Sequence, residues 1–157
     1  MRGFLNIGFT GTQRGMTPFQ KNTVRELLRA WSHEYVPAFK FHHGDCIGAD
    51  EQAVVIAREN GLRIVCHPPI DERKRAFAPF DEMLPPEEFM TRNQAIVDVS
   101  DRLIVCPRQY EEINRSGTWS TYRRMKRKPG YVIYLVLPDG LQRTLFSSSS
   151  SSQETAA

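Results

Sequence analysis

The sequence predicts an α/β fold, a three-layer, doubly wound parallel sheet of about five strands with helices on both faces. Three observations carry this. Short apolar runs alternate with amphipathic segments along the chain, the order that yields parallel pairing with right-handed crossovers. The runs are apolar on both sides of the strand period, as strands buried on both faces are. Glycine-rich turns follow the first and second runs, and a serine-glycine turn follows the fourth.

Phe4 to Phe9 reads as the first strand. Thr17 then caps a helix whose first turn holds Pro18. Val24, Leu27, Leu28 and Trp31 give that helix an apolar face at helical spacing, and Pro37 ends it. Phe39 to His42 is a short second strand. The second helix runs from about Ala49 to Asn60, with Ala53, Val54, Ile56 and Ala57 inward and Asn60-Gly61 at its end. Arg63 to Cys66 is the third strand.

His67 to Pro86 departs from this rhythm. It is rich in proline and charge, and loops of that length are usually functional or mobile. Glu87 and Glu88 suit the first turn of a third helix, which continues to about Val99. Leu103 to Cys106 is the fourth strand. A fourth helix runs from Gly117-Thr118 to near Lys128, where Pro129-Gly130 breaks it. Tyr131 to Leu137 is a fifth strand. Residues 1–142 thus form one domain. Residues 143–157, with six serines from Ser147 to Ser152, read as a disordered tail.

The 157 residues can bury a proper core, and a composition 40% hydrophobic and 25% charged is that of a soluble globular chain. The formal charge of +3 favours anionic partners slightly without predicting nucleic-acid binding. No apolar run reaches the roughly 20 residues of a membrane span, and no signal peptide is visible at the amino terminus. Three widely spaced cysteines, Cys46, Cys66 and Cys106, argue against a disulfide framework. A cytoplasmic protein is the expectation.

In such sheets ligands bind at the carboxyl ends of the strands, near the switch in strand order. The unusual residues of this chain fall at those ends. Gly11, Thr12 and Arg14 follow the first strand, and His43, Gly44, Asp45, Gly48 and Asp50 follow or end the second. Ser116, Gly117 and Thr118 open the fourth helix. Glycine admits an anion to the backbone, and a helix amino terminus suits a phosphate. Arg14 is either a forked phosphate donor or a solvated arginine. Asp45 and Asp50 either accept from ribose hydroxyls or an amine, or cap a helix. Arg92-Asn93 lies in the first turns of the third helix, where Arg92 can project toward the same edge. His42, His43, Cys46, Cys66, His67 and Cys106 match no standard zinc spacing, so neither a metal nor another cofactor is expected. Trp119 and Tyr122 can stack on a base or belong to the core. The run Arg123 to Lys128 is a solvated helix end or a nucleic-acid contact.

Taken together, Gly11-Thr12-Gln13-Arg14, the segment His43 to Asp50, Arg92-Asn93 and Ser116-Gly117-Thr118 resemble the SLOG superfamily. That superfamily includes the Lonely Guy (lysine-decarboxylase-like) enzymes, the DNA-processing protein A family and small YspA-like proteins. The resemblance runs from about Phe4 to Gly140. It implies a Rossmann-like fold, a nucleotide or nucleic-acid ligand and a dimer or higher assembly. Lonely Guy enzymes hydrolyse the N-glycosidic bond of modified adenosine 5′-monophosphates. Their arginine matches Arg92 and their Gly-Thr matches Gly117-Thr118. Their glutamate position is Thr121 here, and their Pro-Gly-Gly is missing. An N-glycosidase would therefore need Asp45 or Asp50 beside Arg92 as its catalytic groups. Three functions follow: binding, sensing or processing of a nucleotide-derived ligand, hydrolysis of a nucleoside 5′-monophosphate, or binding of single-stranded nucleic acid through Arg14, Arg123, Arg124 and Lys126.

Overall fold

A computed structural model of the chain describes residues 5–34 and 39–147, and the backbone of 152–156. In chain order the elements are β1 (Leu5–Gly11), α1 (Pro18–Glu34), β2 (Phe39–His43), α2 (Ala49–Glu59), β3 (Arg63–Cys66), β4 (Glu82–Met83), α3 (Phe89–Val99), β5 (Arg102–Cys106), α4 (Gly117–Met125), β6 (Val132–Val136), β7 (Gln142–Ser147) and β8 (Ser152–Ala156). They make one sheet in the order β4-β3-β2-β1-β5-β6-β7-β8. β1 to β6 pair in parallel, while β7 and β8 are antiparallel. The strand order reverses between β1 and β5.

The two faces are visible in the strands themselves. On β5, Ile104 and Cys106 join the core beneath α1 and α2, while Leu103 and Val105 join the core beneath α3 and α4. On β6, Val136 goes to the first core and Ile133 and Leu135 to the second. Alternation of side chains along a strand thus puts apolar groups into both layers, which is why the strands read as unbroken apolar runs.

Thr17 caps α1 as expected, and Gln20 closes a reciprocal box. Thr17 Oγ1 accepts from the Gln20 N–H at 3.0 Å, and Gln20 Oε1 accepts from the Thr17 N–H at 3.0 Å. The buried Gln20 amide also donates to the carbonyls of Pro107 and Val136, tying α1 to the ends of β5 and β6. Pro37 and Phe4, expected to bound their elements, lie outside the described residues.

The five expected strands are present, and three more join them. The expectation of disorder from residue 143 is corrected by β7, which pairs along β6 from Val136↔Gln142 to Val132↔Phe146. Leu145 is buried there in the second core. The serine run masked a short strand that begins before it. Residues 148–151 and 157 of the tail lie outside the described residues. The segment His67–Pro86 is ordered by bonds to its neighbours. The Asp81 N–H and carboxylate bond the backbone of Ile64, Leu84 N–H donates to Cys66 O, and β4 covers the edge of β3.

Candidate functional site

At the reversal point, the carboxyl ends of β1 and β5 lie side by side, with Gly11 paired to Cys106. Above them opens a cavity of about 440 Å3, within the range of small-molecule sites. Gly11, Thr12, Arg14, Gly44, Asp50, Arg92, Asn93, Ser116, Gly117 and Thr118 all line it. His43, Asp45 and Gly48, expected beside them, do not.

Gly44 is a buried residue of the cavity lining. Its N–H donates to Asp50 Oδ2 at 2.9 Å, and its carbonyl accepts from Arg92 Nη1. Cys46 repeats the pattern, giving its N–H to Asp50 Oδ2 at 3.3 Å while Arg92 Nη2 lies 3.7 Å from its Sγ. A carboxylate from α2 and a guanidinium from α3 are thereby tied through the same turn. A Cβ on residue 44 would lie 2.5 Å from Arg92 Nη1, so the glycine is required by the arginine packed on it. Arg92 also donates to His67 O and, through Nε, to Asn93 Oδ1. Most of its five N–H donors therefore hold the protein together.

Asp50 and Arg92 are both only 4% exposed. Burial lifts the Asp50 carboxyl to about 6, against the opposing pull of Arg92 and of the Cys46 and Gly44 N–H groups. Asp50 is not the helix cap it was expected to be as an alternative to a ligand group. The α2 amino terminus is closed instead by the Thr12 carbonyl, which accepts from the Ala49 N–H at 3.0 Å. Gly48 serves that junction. Its φ is +91°, and a Cβ there would lie 2.3 Å from the Gln13 carbonyl oxygen, so only glycine lets the two loops meet.

Asp45 is fully buried outside the cavity, with φ +55°. Its carboxylate bonds Arg75 Nε at 2.8 Å and the Ala78 N–H at 3.0 Å, and its carbonyl accepts from the Ala76 N–H. It anchors the segment 72–78 rather than a ligand. That segment in turn carries Lys74 to the cavity wall, with the Ile47 N–H donating to the Lys74 carbonyl. His43 lies beneath, its Nδ1 accepting from the Asp45 N–H, and burial lowers it to about 4. His42 Nδ1 and His67 Nε2 are 2.8 Å apart, and His42 Nε2 bonds Asn6 Oδ1. Burial lowers these to about 4 and about 3, so both rings are neutral near pH 7. Among the described residues no group of three or more His, Cys, Asp or Glu can hold a metal ion.

The rim of this cavity is cationic. Arg14, Lys74, Arg108 and Arg115 are exposed and line the mouth. With Arg92 they set five cations against the single carboxylate, that of Asp50, among the described residues of the lining. The α4 amino terminus faces the same space. Ser116 Oγ accepts from the Trp119 N–H, and beyond its own turn of helix no described atom lies within 4 Å of where a Gly117 Cβ would be. Thr121 lines the cavity, but its hydroxyl donates to the Gly117 carbonyl at 2.9 Å and brings no charge. Loop, cation and helix terminus together favour an anion.

Solved structures share this architecture. The molybdenum cofactor binding protein from the phototrophic bacterium Rippkaea orientalis matches at 20% identity with a TM-score of 0.64, over 87% of this chain and 78% of that one. The Moco carrier protein from Chlamydomonas reinhardtii matches at 15% identity and 0.54, over 87% and 77%. DNA processing protein A from Streptococcus pneumoniae matches at 19% identity and 0.58, over 83% of this chain and half of that one. The chain shares the Rossmann-like α/β fold of these structures. No family model matches the chain, and no curated protein matches it.

Within that fold, sequence reasoning missed Lys74 and Arg108, which line the cavity. Arg115 adjoins the serine-glycine turn and holds φ +57°, a conformation rare for a long side chain. Arg108 stands two residues beyond β5, a position that strand-end logic could have flagged. Lys74 carried no signal, because only the Asp45 anchor brings it near. Trp119 and Tyr122 are core residues, buried and packed edge to face at 5.2 Å.

Proposed function

We propose that this protein binds a phosphate-bearing small molecule of nucleotide type at the carboxyl edge of its sheet. One observation carries the reading. The loops after β1, β2 and β5 converge on a single cavity whose rim is cationic and whose wall includes the open amino terminus of α4. Anions gain there from backbone N–H groups, the helix dipole and forked guanidinium donors together. Phe9, Phe89, Ile96 and Ile113 supply apolar wall, as small-molecule sites require beside a few placed polar groups. Two of the similar structures are, by their names, a molybdenum cofactor binding protein and a Moco carrier, which supports a small-molecule cargo.

The nucleic-acid reading finds less support. Arg123 is paired with Glu112, Arg124 donates to Gln94, and Lys128 donates to the carbonyls of Val97, Asp98 and Ser100 at the end of α3. Hydrolysis of a nucleoside 5′-monophosphate would have to use Asp50 with Arg92, since Asp45 lies outside the cavity and Thr121 is uncharged.

A thermal-shift panel of AMP, ADP, ribose 5-phosphate and pyrophosphate tests the reading. A ligand at a hundred times its dissociation constant adds about 2.7 kcal/mol of stability. Stabilisation by one of these with a shallow dependence on salt supports it. Stabilisation only by oligonucleotides, falling steeply with salt, favours the nucleic-acid alternative. Free adenine released from AMP, and abolished by Asp50→Asn, would establish the hydrolase.

A further inference from the structure

We infer that Asp50 is a specificity-determining residue, which reads a hydrogen-bond donor on the ligand through its Oδ1 atom at the floor of the cavity. The inference rests on the small-molecule reading above and deepens it, because it states what the ligand must carry besides its anion.

The carboxylate is divided between two tasks. Oδ2 accepts from both Gly44 and Cys46 N–H groups and so shapes the turn. Oδ1 has no hydrogen bond to the protein among the described residues. It belongs to a side chain that lines the cavity and is only 4% exposed. Several of the lining amide and guanidinium side chains offer donors instead. Asn93 Oδ1 is occupied by Arg92 Nε, and Gln109 Oε1 by Trp119 Nε1, which leaves the amide N–H groups as what these two side chains can offer. Arg14, Arg108 and Arg115 have no acceptor atom to give.

The cavity is therefore polar in two senses, with cations at the mouth and, among the described residues, one buried carboxylate. A ligand lying between them has its anion outward and an amine, ring N–H or hydroxyl inward. Burial lifts the Asp50 carboxyl to about 6, as it does for a carboxylate short of hydrogen bonds. A ligand donor replaces the water that such a group has lost. A ligand without one leaves a buried acceptor unpaired, and sites of this kind discriminate strongly.

The Asp50→Asn substitution separates this role from turn-building. Its amide oxygen can keep the Gly44 and Cys46 bonds, while its NH2 takes the place of Oδ1 and reverses the polarity offered to the ligand. The probes are AMP, 2′-deoxy-AMP, 3′-deoxy-AMP and purine riboside 5′-monophosphate, each of the last three lacking one donor. With wild type, one deletion should weaken binding by about tenfold or more. With D50N that penalty should vanish, with affinity for the other probes keeping its order. Equal penalties in both proteins overturn the inference while leaving the anion site standing. Failure of every probe, and of inorganic phosphate, to bind wild type overturns both readings. A second measurement on wild type guards against a variant that does not fold. The 13C carboxyl resonance of Asp50 should move with AMP and stay in place with inorganic phosphate. A resonance unmoved by AMP overturns the inference.

Discussion

Arg92 is held by bonds that converge from a loop, a strand end and its own helix, and Gly44 exists to let it pack there. Gly44→Ala should therefore behave as a lesion of Arg92. The methyl group would force the guanidinium off the Gly44 and His67 carbonyls, leaving buried acceptors unpaired at a cost of about 1–3 kcal/mol each. Chemical denaturation should show a loss of at least ~2 kcal/mol, and nucleotide binding should weaken alongside it. A variant of wild-type stability would contradict the packing described. At the same scale, spacing alone could not tell a ligand-facing aspartate from a structural one. Asp45 and Asp50 flank one turn, yet the first faces the segment 72–78 and the second faces the cavity. Each outcome is set by partners far along the chain, Arg75 for one and Arg92 for the other.

Among elements, the segment between β3 and α3 is one whose form sequence did not convey. Its prolines and charges described a long loop, and its order comes from bonds to β3 and from the buried Asp45–Arg75 pair at 2.8 Å. The strands and helices were legible because each carries its own period, and α1 and α4 also carry caps, Thr17 with Gln20 and Ser116 with Trp119. β7 was hidden because a six-residue antiparallel strand returning from a tight turn has no helix after it to announce it. Asp45→Ala should release the 72–78 strap. Removing one partner of a buried pair costs about 3–5 kcal/mol, and hydrogen exchange at the Ala78 amide should accelerate markedly. Lys74 would leave the cavity wall with the strap. Unchanged Ala78 protection would mean that Asp45 is not the anchor.

For the molecule as a whole, the cluster under the site predicts how stability varies with pH. His42, His43 and His67 are lowered chiefly by burial, to about 4, about 4 and about 3. The folded state refuses protons that the unfolded chain accepts below about 6.5. Their contribution is present above that pH and is lost as pH falls toward 4. Asp50 acts in the opposite sense, since its folded value of about 6 exceeds the ordinary 3.8. Its contribution is present at low pH and is lost as pH rises through 6. Near pH 5 three protons compete with one, so stability should fall by up to about 2.7 kcal/mol per pH unit on acidification. Asp50→Asn should make that fall steeper between pH 4 and 6, and urea midpoints measured across this range will show it. A midpoint flat from pH 7 to 4 would contradict the buried neutral histidines. The central claim is that an anion sits against the open amino terminus of α4, and Gly117→Ala tests it most directly by calorimetric titration with AMP. Beyond its own turn of helix, the added methyl meets no described protein atom within 4 Å, so the fold should be untouched while the methyl stands where the anion approaches. AMP should bind wild type and should bind G117A about tenfold more weakly, a difference of ~1.4 kcal/mol. AMP affinity identical in the two proteins, or no heat of binding in either, would contradict the account.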